Sequence, residues 1–214
     1  MLAATGRTSN VTDIGLDQTT LKLDAKGVPS FDPVTTRCAS ADRASPIFIA
    51  GDASNFIPLL HEAADEGRIA GGNAARLALG KPVNPGLRRA PIRVVFTDPQ
   101  IGIVGGGFRS MRPGTFATGQ ASFEDQGRSR ILLRNKGLLN VYADPATGRF
   151  LGAEMLAPAG EHLAHLLAWA LQNRMTVAQM LEMPFYDPVI EEGLQTALHD
   201  LHVKLRAAQA SKAA

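Results

Sequence analysis

Residues 46–68 read PIFIAGDASNFIPLLHEAADEGR: an apolar run ends in Gly-Asp, and an amphipathic helix follows a short turn. The run 47–50 predicts a short buried strand, and Gly51 lets another backbone or a bound molecule approach without a Cβ in the way. Asp52 then stands at the carboxyl end of that strand, where open α/β sheets bind ligands. The helix expected over 58–79 begins with unpaired N–H groups and the positive end of its macrodipole, which suits an electron-rich carbonyl or an anion. Pro58 favours that start because its missing N–H would have no partner in the first turn, and Gly80, Lys81 and Pro82 stop the helix. Taken alone, the same residues also describe an ordinary strand-turn-helix with Asp52 as a turn residue.

Composition bounds the rest. The chain has 214 residues, 45% hydrophobic and 20% charged, enough for one or two domains with real cores. A net charge of +2, with basic residues scattered in pairs such as Arg88-Arg89, gives no footprint for nucleic acid. Neither a transmembrane run nor a secretory signal is visible, and a reducing cytoplasm is the default compartment. Cys38 is the single cysteine, so no disulfide forms within the chain.

The turn and helix resemble the second flavin-binding motif of the flavoprotein disulfide reductases, IxxGD followed by xLxHxAxxEG. Here that motif reads Ile49, Gly51, Asp52, Leu59, His61, Ala63, Glu66 and Gly67. Three further segments resemble the same family in its order. They are LAATGRTSNVTDIGLD at 2–17 (with Ser9 where the family has Pro), RVVFTDPQIGIVG at 93–105, and 137–198 from GLLNVYADPATGRFLGAEM onward. Within the family the chain resembles dihydrolipoamide dehydrogenase-like enzymes. The resemblance implies that the Asp hydrogen-bonds a ribitol hydroxyl of FAD while the helix start faces the flavin pyrimidine edge. Those roles fall on Gly51 and Asp52 and on the backbone N–H groups near Leu59, Leu60 and His61.

The same resemblance exposes what the chain lacks. The family's redox-active Cys-x4-Cys pair and its GxGxxG turn have no counterpart, and the glycine cluster IGIVGGGFRS at 101–110 has the wrong spacing, so it reads as a strand-ending loop. The nicotinamide-binding domain is missing apart from a possible exit strand at 2–5. The expectation is therefore the C-terminal half of such an enzyme, begun at an internal start or a cut.

Breaks in composition place an α/β remnant of an FAD-binding domain at 1–88 and an α+β dimerisation domain at 89–200, an antiparallel sheet with helices on one face. A flexible tail is expected at 201–214. Strands are expected at 94–96 and 101–104, and a hairpin joins 138–143 to 150–155. Helices are expected over 161–173, with Leu163, Leu166, Leu167 and Ala170 on one face, and over 189–201. Residues 125–134 are ambiguous between strand and helix. Trp169, Met175, Met180 and Met183 read as packing groups. The resemblance implies a homodimer through 89–200, leaves a 2-oxo acid dehydrogenase complex open as a partner, and makes NAD the electron acceptor of the complete enzyme.

Residues 184–194, PFYDPVIEEGL, carry the sharpest departure. The family reads HPTxxE here, its His acting as acid-base group for the dithiol and its Glu orienting that His. Asp187 falls at the His position and Glu192 at the Glu position. A carboxylate of ordinary pKa, about 3.9, is a far weaker base for a thiol than an imidazole of about 6.5, although a neighbouring Glu192 would raise one of the pair. A plainer role for Asp187 is helix N-cap, with Pro188 first in the helix and Glu191 and Glu192 in its first turns. His162 with His165, and His199 with His202, sit at i and i+3 without a third ligand nearby and read as solvated faces, so no metal site is expected. The function expected is oxidation of a dihydrolipoyl group, with electrons passing through a disulfide and FAD to NAD. The alternatives are a non-catalytic dimerisation module, or part of a soluble transhydrogenase or mercuric reductase-like enzyme.

Overall fold

The computed structural model describes residues 1–42 and 44–213, with side chains to 210. The chain divides into two compact units, Met1–Arg89 and Ala90–Ala214.

The first unit is held mostly by turns and isolated bridges. Leu21 pairs with Ser40, Leu23 with Pro29, Phe31 with Cys38 and Arg37 with Phe48, all antiparallel. The expected strand at 47–50 is thus reduced to the one bridge at Phe48, because Gly51 turns the chain away at φ 69°. The expected exit strand at 2–5 has no strand pairing. Helix α1, Leu60–Ala78, begins two residues later than expected: Leu59 occupies the N-cap, and Pro58 lies outside the helix. Cys38 is buried, and burial pushes its thiol up from the ordinary value, which disfavours the reactive thiolate.

The second unit is a five-stranded antiparallel sheet. Strands β1 (Ile92–Val95), β2 (Gln100–Val104), β3 (Ala117–Ser122), β4 (Leu138–Ala143) and β5 (Phe150–Ala157) lie in the order β1-β2-β5-β4-β3. Helices α3 (Gly160–Gln172) and α5 (Glu192–Ala213) pack on the sheet, and the short helices α2 (Gly127–Ile131) and α4 (Val177–Leu181) complete the unit. Alternation along the strands sends Val104, Leu139, Val141, Ala153 and Met155 inward against Leu163, Leu167, Leu198 and Leu201. The opposite positions Val95, Ile101, Leu156 and Leu138 pair across four neighbouring strands and stay exposed. Gly119 is the closest point of the helix–sheet seam, since a Cβ there would stand 2.3 Å from the Ala197 carbonyl oxygen.

Three expectations need correction. The final helix starts at Glu192 and continues to Ala213, so the 201–213 segment expected to be a flexible tail extends a helix. Its alanine-, lysine- and glutamine-rich composition is that of a good helix former. Asp187 is therefore not an N-cap: residues 187–189 form bends with a cis Asp187–Pro188 peptide, and the helix begins five residues further on. Trp169 is 68% exposed and Leu166 and Met183 are also on the surface, because the buried stripe of α3 runs through Leu163, Ala164, Leu167 and Ala170 instead.

Burial alone would push the Asp200 carboxyl up, but the Lys204 ammonium at 2.6 Å and the Gln120 N–H at 2.9 Å outweigh it and hold it below the usual range. A carboxyl with a depressed folded pKa stabilises the fold above its unfolded value of about 3.9, and that contribution fades as pH falls through the folded value. Acid unfolding of the chain is expected to show stability falling below about pH 4, with Asp200→Asn flattening that part of the curve. Superimposable acid profiles for the two proteins would clear Asp200 of the effect.

Candidate functional site

The site begins where the Phe48 bridge ends. Gly51–Ser54 form a 3-10 turn closed by Asn55 in the left-handed region (φ 52°), with the Asn55 N–H bonded to the Asp52 carbonyl at 3.2 Å. At Gly51, φ is positive and an added Cβ would lie 3.3 Å from Ala63 Cβ, so glycine allows the turn to lie against α1. The Asp52 carboxylate is exposed, and among the described residues its ion-pair partner is Arg7 at 3.9 Å, also exposed, a pair too long and too solvated to hold it. The Ser9 hydroxyl donates to the Ala53 carbonyl, which ties Ser9, two residues past Arg7, to the same turn. At the start of α1 no side chain caps the first N–H groups, and Leu60 and His61 are exposed. The structure thus brings Gly51, Asp52 and the opening of α1 onto one surface, with an acceptor carboxylate beside the uncapped Leu60 and His61 N–H groups, whereas the Leu59 N–H is taken by the Ile57 carbonyl at 2.8 Å.

Beneath that surface lies a network of buried charge. Glu62, Asp65 and Glu66 are all buried on α1. Arg88 reaches Glu62 at 3.2 Å and Glu66 at 2.8 Å, while Asp65 is met by Arg68 at 2.8 Å and Arg89 at 3.3 Å. Glu66 accepts from the Gly51 N–H at 2.7 Å and the Ser54 hydroxyl at 3.2 Å. The Arg88-Arg89 pair, which reads in the sequence as scattered surface charge, supplies the counterions of these acids. The available signal was the spacing of Glu62, Glu66, Ile69 and Asn73, which puts acids on the stripe that also carries buried Ile69.

In the second unit, Glu192 turns back on its own approach, its carboxylate accepting from the Val189 N–H at 2.9 Å. Asp187 is exposed in the bend before it. The structure therefore directs the Glu192 carboxylate to the backbone and leaves Asp187 facing solvent. Beside this segment runs an apolar groove of about 600 Å³, lined by Leu166, Trp169, Met180, Met183, Phe185 and Tyr186. His162 and His165 lie exposed on the neighbouring face of α3, and no group of three metal-ligating side chains converges among the described residues. No helix among them is long and apolar enough to cross a membrane.

Known proteins match most of this chain. The chain is 28% identical over 199 residues to mercuric reductase from Acidithiobacillus ferrooxidans, covering 92% of this chain and 35% of that enzyme. It is 28% identical over 200 residues to dihydrolipoyl dehydrogenase from Bacillus subtilis, covering 92% of this chain and 41% of that enzyme. The crystal structure of LpdA from Mycobacterium tuberculosis superposes with a TM-score of 0.73 at 26% identity, over 89% of this chain and 40% of LpdA. The chain thus spans well under half the length of the relatives it matches. Residues 92–198 match the pyridine nucleotide-disulphide oxidoreductase dimerisation domain. That match spans half of the chain and covers the five-stranded antiparallel sheet with its helices, so the chain belongs to the pyridine nucleotide-disulphide oxidoreductase family.

Proposed function

We propose that the chain is the C-terminal part of an FAD-dependent, NAD-linked oxidoreductase that works as a cytoplasmic homodimer. The observation that carries this reading is the Gly51–Asp52 turn beside the uncapped start of α1. The donor set fits the flavin: an exposed carboxylate accepts from the hydroxyls of a sugar-alcohol chain, and helix-start N–H groups donate to ring carbonyls. Bound FAD would supply two-electron transfer; Asp52 would hold its ribitol and the Leu60 and His61 N–H groups its pyrimidine edge, joined by the Leu59 N–H only if that group gave up the Ile57 carbonyl.

In the homodimer, the exposed Leu166 and Trp169 of α3 face the second copy, and residues 184–192 reach into the partner subunit's active site. The groove beside that segment is the apolar surface such a contact would cover. A dihydrolipoyl dithiol is the substrate that the resemblance to dihydrolipoyl dehydrogenase supports, with a 2-oxo acid dehydrogenase complex as its setting. A second reading rests on Asp187. With a carboxylate where the family has its imidazole base, the complete enzyme serves a donor and acceptor that need no thiol base, as in a soluble transhydrogenase.

Asp52→Ala tests the flavin assignment. Losing a charge-assisted hydrogen bond is expected to weaken FAD binding about ten- to a hundredfold in the enzyme rebuilt with an N-terminal half. Flavin absorbance after dialysis measures it, and retention equal to the parent would remove Asp52 from the flavin site.

A further inference from the structure

We infer that Arg88 is a positioning residue for the flavin-facing turn, acting through Glu66; the inference rests on the role of Asp52 given above. A guanidinium presents five N–H donors in one plane, and Arg88 uses that plane in three directions. Its Nε donates to the Pro33 carbonyl at 2.8 Å, Nη1 to Glu62 at 3.2 Å and Nη2 to Glu66 at 2.8 Å. The flat face lies 5.1 Å from the centre of the Phe56 ring. One side chain therefore ties the loop at 33, the loop at 56 and the helix that the turn rests on.

Glu66 passes this constraint on. Its side chain is fully buried, with Oε1 held by Arg88 and Oε2 accepting from the Gly51 N–H and the Ser54 hydroxyl. Gly51 and Ser54 are the first and last residues of the 3-10 turn, so a single oxygen pins both ends of the segment that carries Asp52. Without the fork, Glu62 and Glu66 would face each other buried and uncompensated, and Glu66 would gain by turning toward water and releasing the Gly51 amide. A lysine at 88 keeps the charge but offers a point cation on a flexible stem, which cannot hold three acceptors lying in one plane.

The test uses the full 214-residue chain, 15N-labelled, with amide exchange read by NMR and FAD as the added probe. In Arg88→Lys, exchange at Gly51 is expected to speed up about tenfold or more, with amides in the interior of α1 changed by less than about twofold. Gly51 exchange unchanged from the parent would overturn the proposal. So would equal acceleration along all of α1, since Arg88 would then be holding the helix and not the turn. Should the lysine variant not fold, Glu66→Gln decides by the same local readout. FAD affinity, where the parent chain binds FAD, is expected to fall about tenfold in Arg88→Lys, a loss of about 1.4 kcal/mol. Unchanged affinity alongside a loosened turn also overturns the proposal. Where the parent chain binds no FAD, the affinity is read in the enzyme rebuilt with an N-terminal half, and the clamp in this chain is judged on Gly51.

Discussion

Replacing Asp187 with His is expected to raise oxidation of a dihydrolipoyl dithiol about 10²- to 10⁴-fold in the complete flavoenzyme made by joining this chain to an N-terminal half bearing the redox cysteines. The range is what a positioned acid-base group contributes when its pKa lies near the working pH. As residue types, a carboxylate is a far weaker base toward a thiol at neutral pH than an imidazole. The site tolerates the exchange because Asp187 is exposed in a bend and caps no helix, while Glu192 is anchored on the Val189 N–H. Reduction of ferricyanide by NADH, which requires no thiol base, provides the control and should change by less than about twofold. If dithiol turnover does not rise while that control holds, the deficit lies elsewhere and the non-dithiol reading gains.

Phe150→Ala is expected to cost about 3–5 kcal/mol of the second unit's stability. Phe150 opens β5, is fully buried, and lies in the core with Leu139, Leu163 and Val177. Its backbone N–H is fixed to the Met175 carbonyl at 3.0 Å, so the surrounding structure has little freedom to close over the void. A small domain has about 5–15 kcal/mol of stability in total, and the loss is a large fraction of it. Urea unfolding followed by far-ultraviolet circular dichroism gives the measurement. A midpoint within error of the parent would mean that the ring is not in a packed interior.

The elements that the sequence announces best are those with strong periodicity. The 138–155 hairpin shows as two apolar runs around Asp144-Pro145-Ala146-Thr147-Gly148, and α3 shows as a helix with Leu163, Leu167 and Ala170 on one stripe. Strand β3, ATGQAS, gave no such signal, because its inward positions are Gly119 and Ala121: the seam with α5 is too close for larger side chains. Asp187-Pro188 has the chemistry of a helix start, but tertiary context delays the helix to Glu192. Trp169 is apolar and on a helix, yet it falls one step round from the buried stripe. In the flavin-like site, Gly51, Asp52 and the start of α1 could be found from local pattern, since each is a feature of consecutive residues. Arg88 could not, because its meaning lies in contacts with residues 22, 26 and 55 positions away. A charged pair in a linker looks solvated until the acids it neutralises are seen to be buried.

Trp169 is the sole tryptophan, and it stands exposed at the mouth of the groove beside residues 184–191. Indole emission depends on how wet the ring is, so the protein carries its own optical gauge at the place where a second copy is proposed to settle. Self-association becomes something to be watched by intrinsic colour, at any dilution and without attaching a dye.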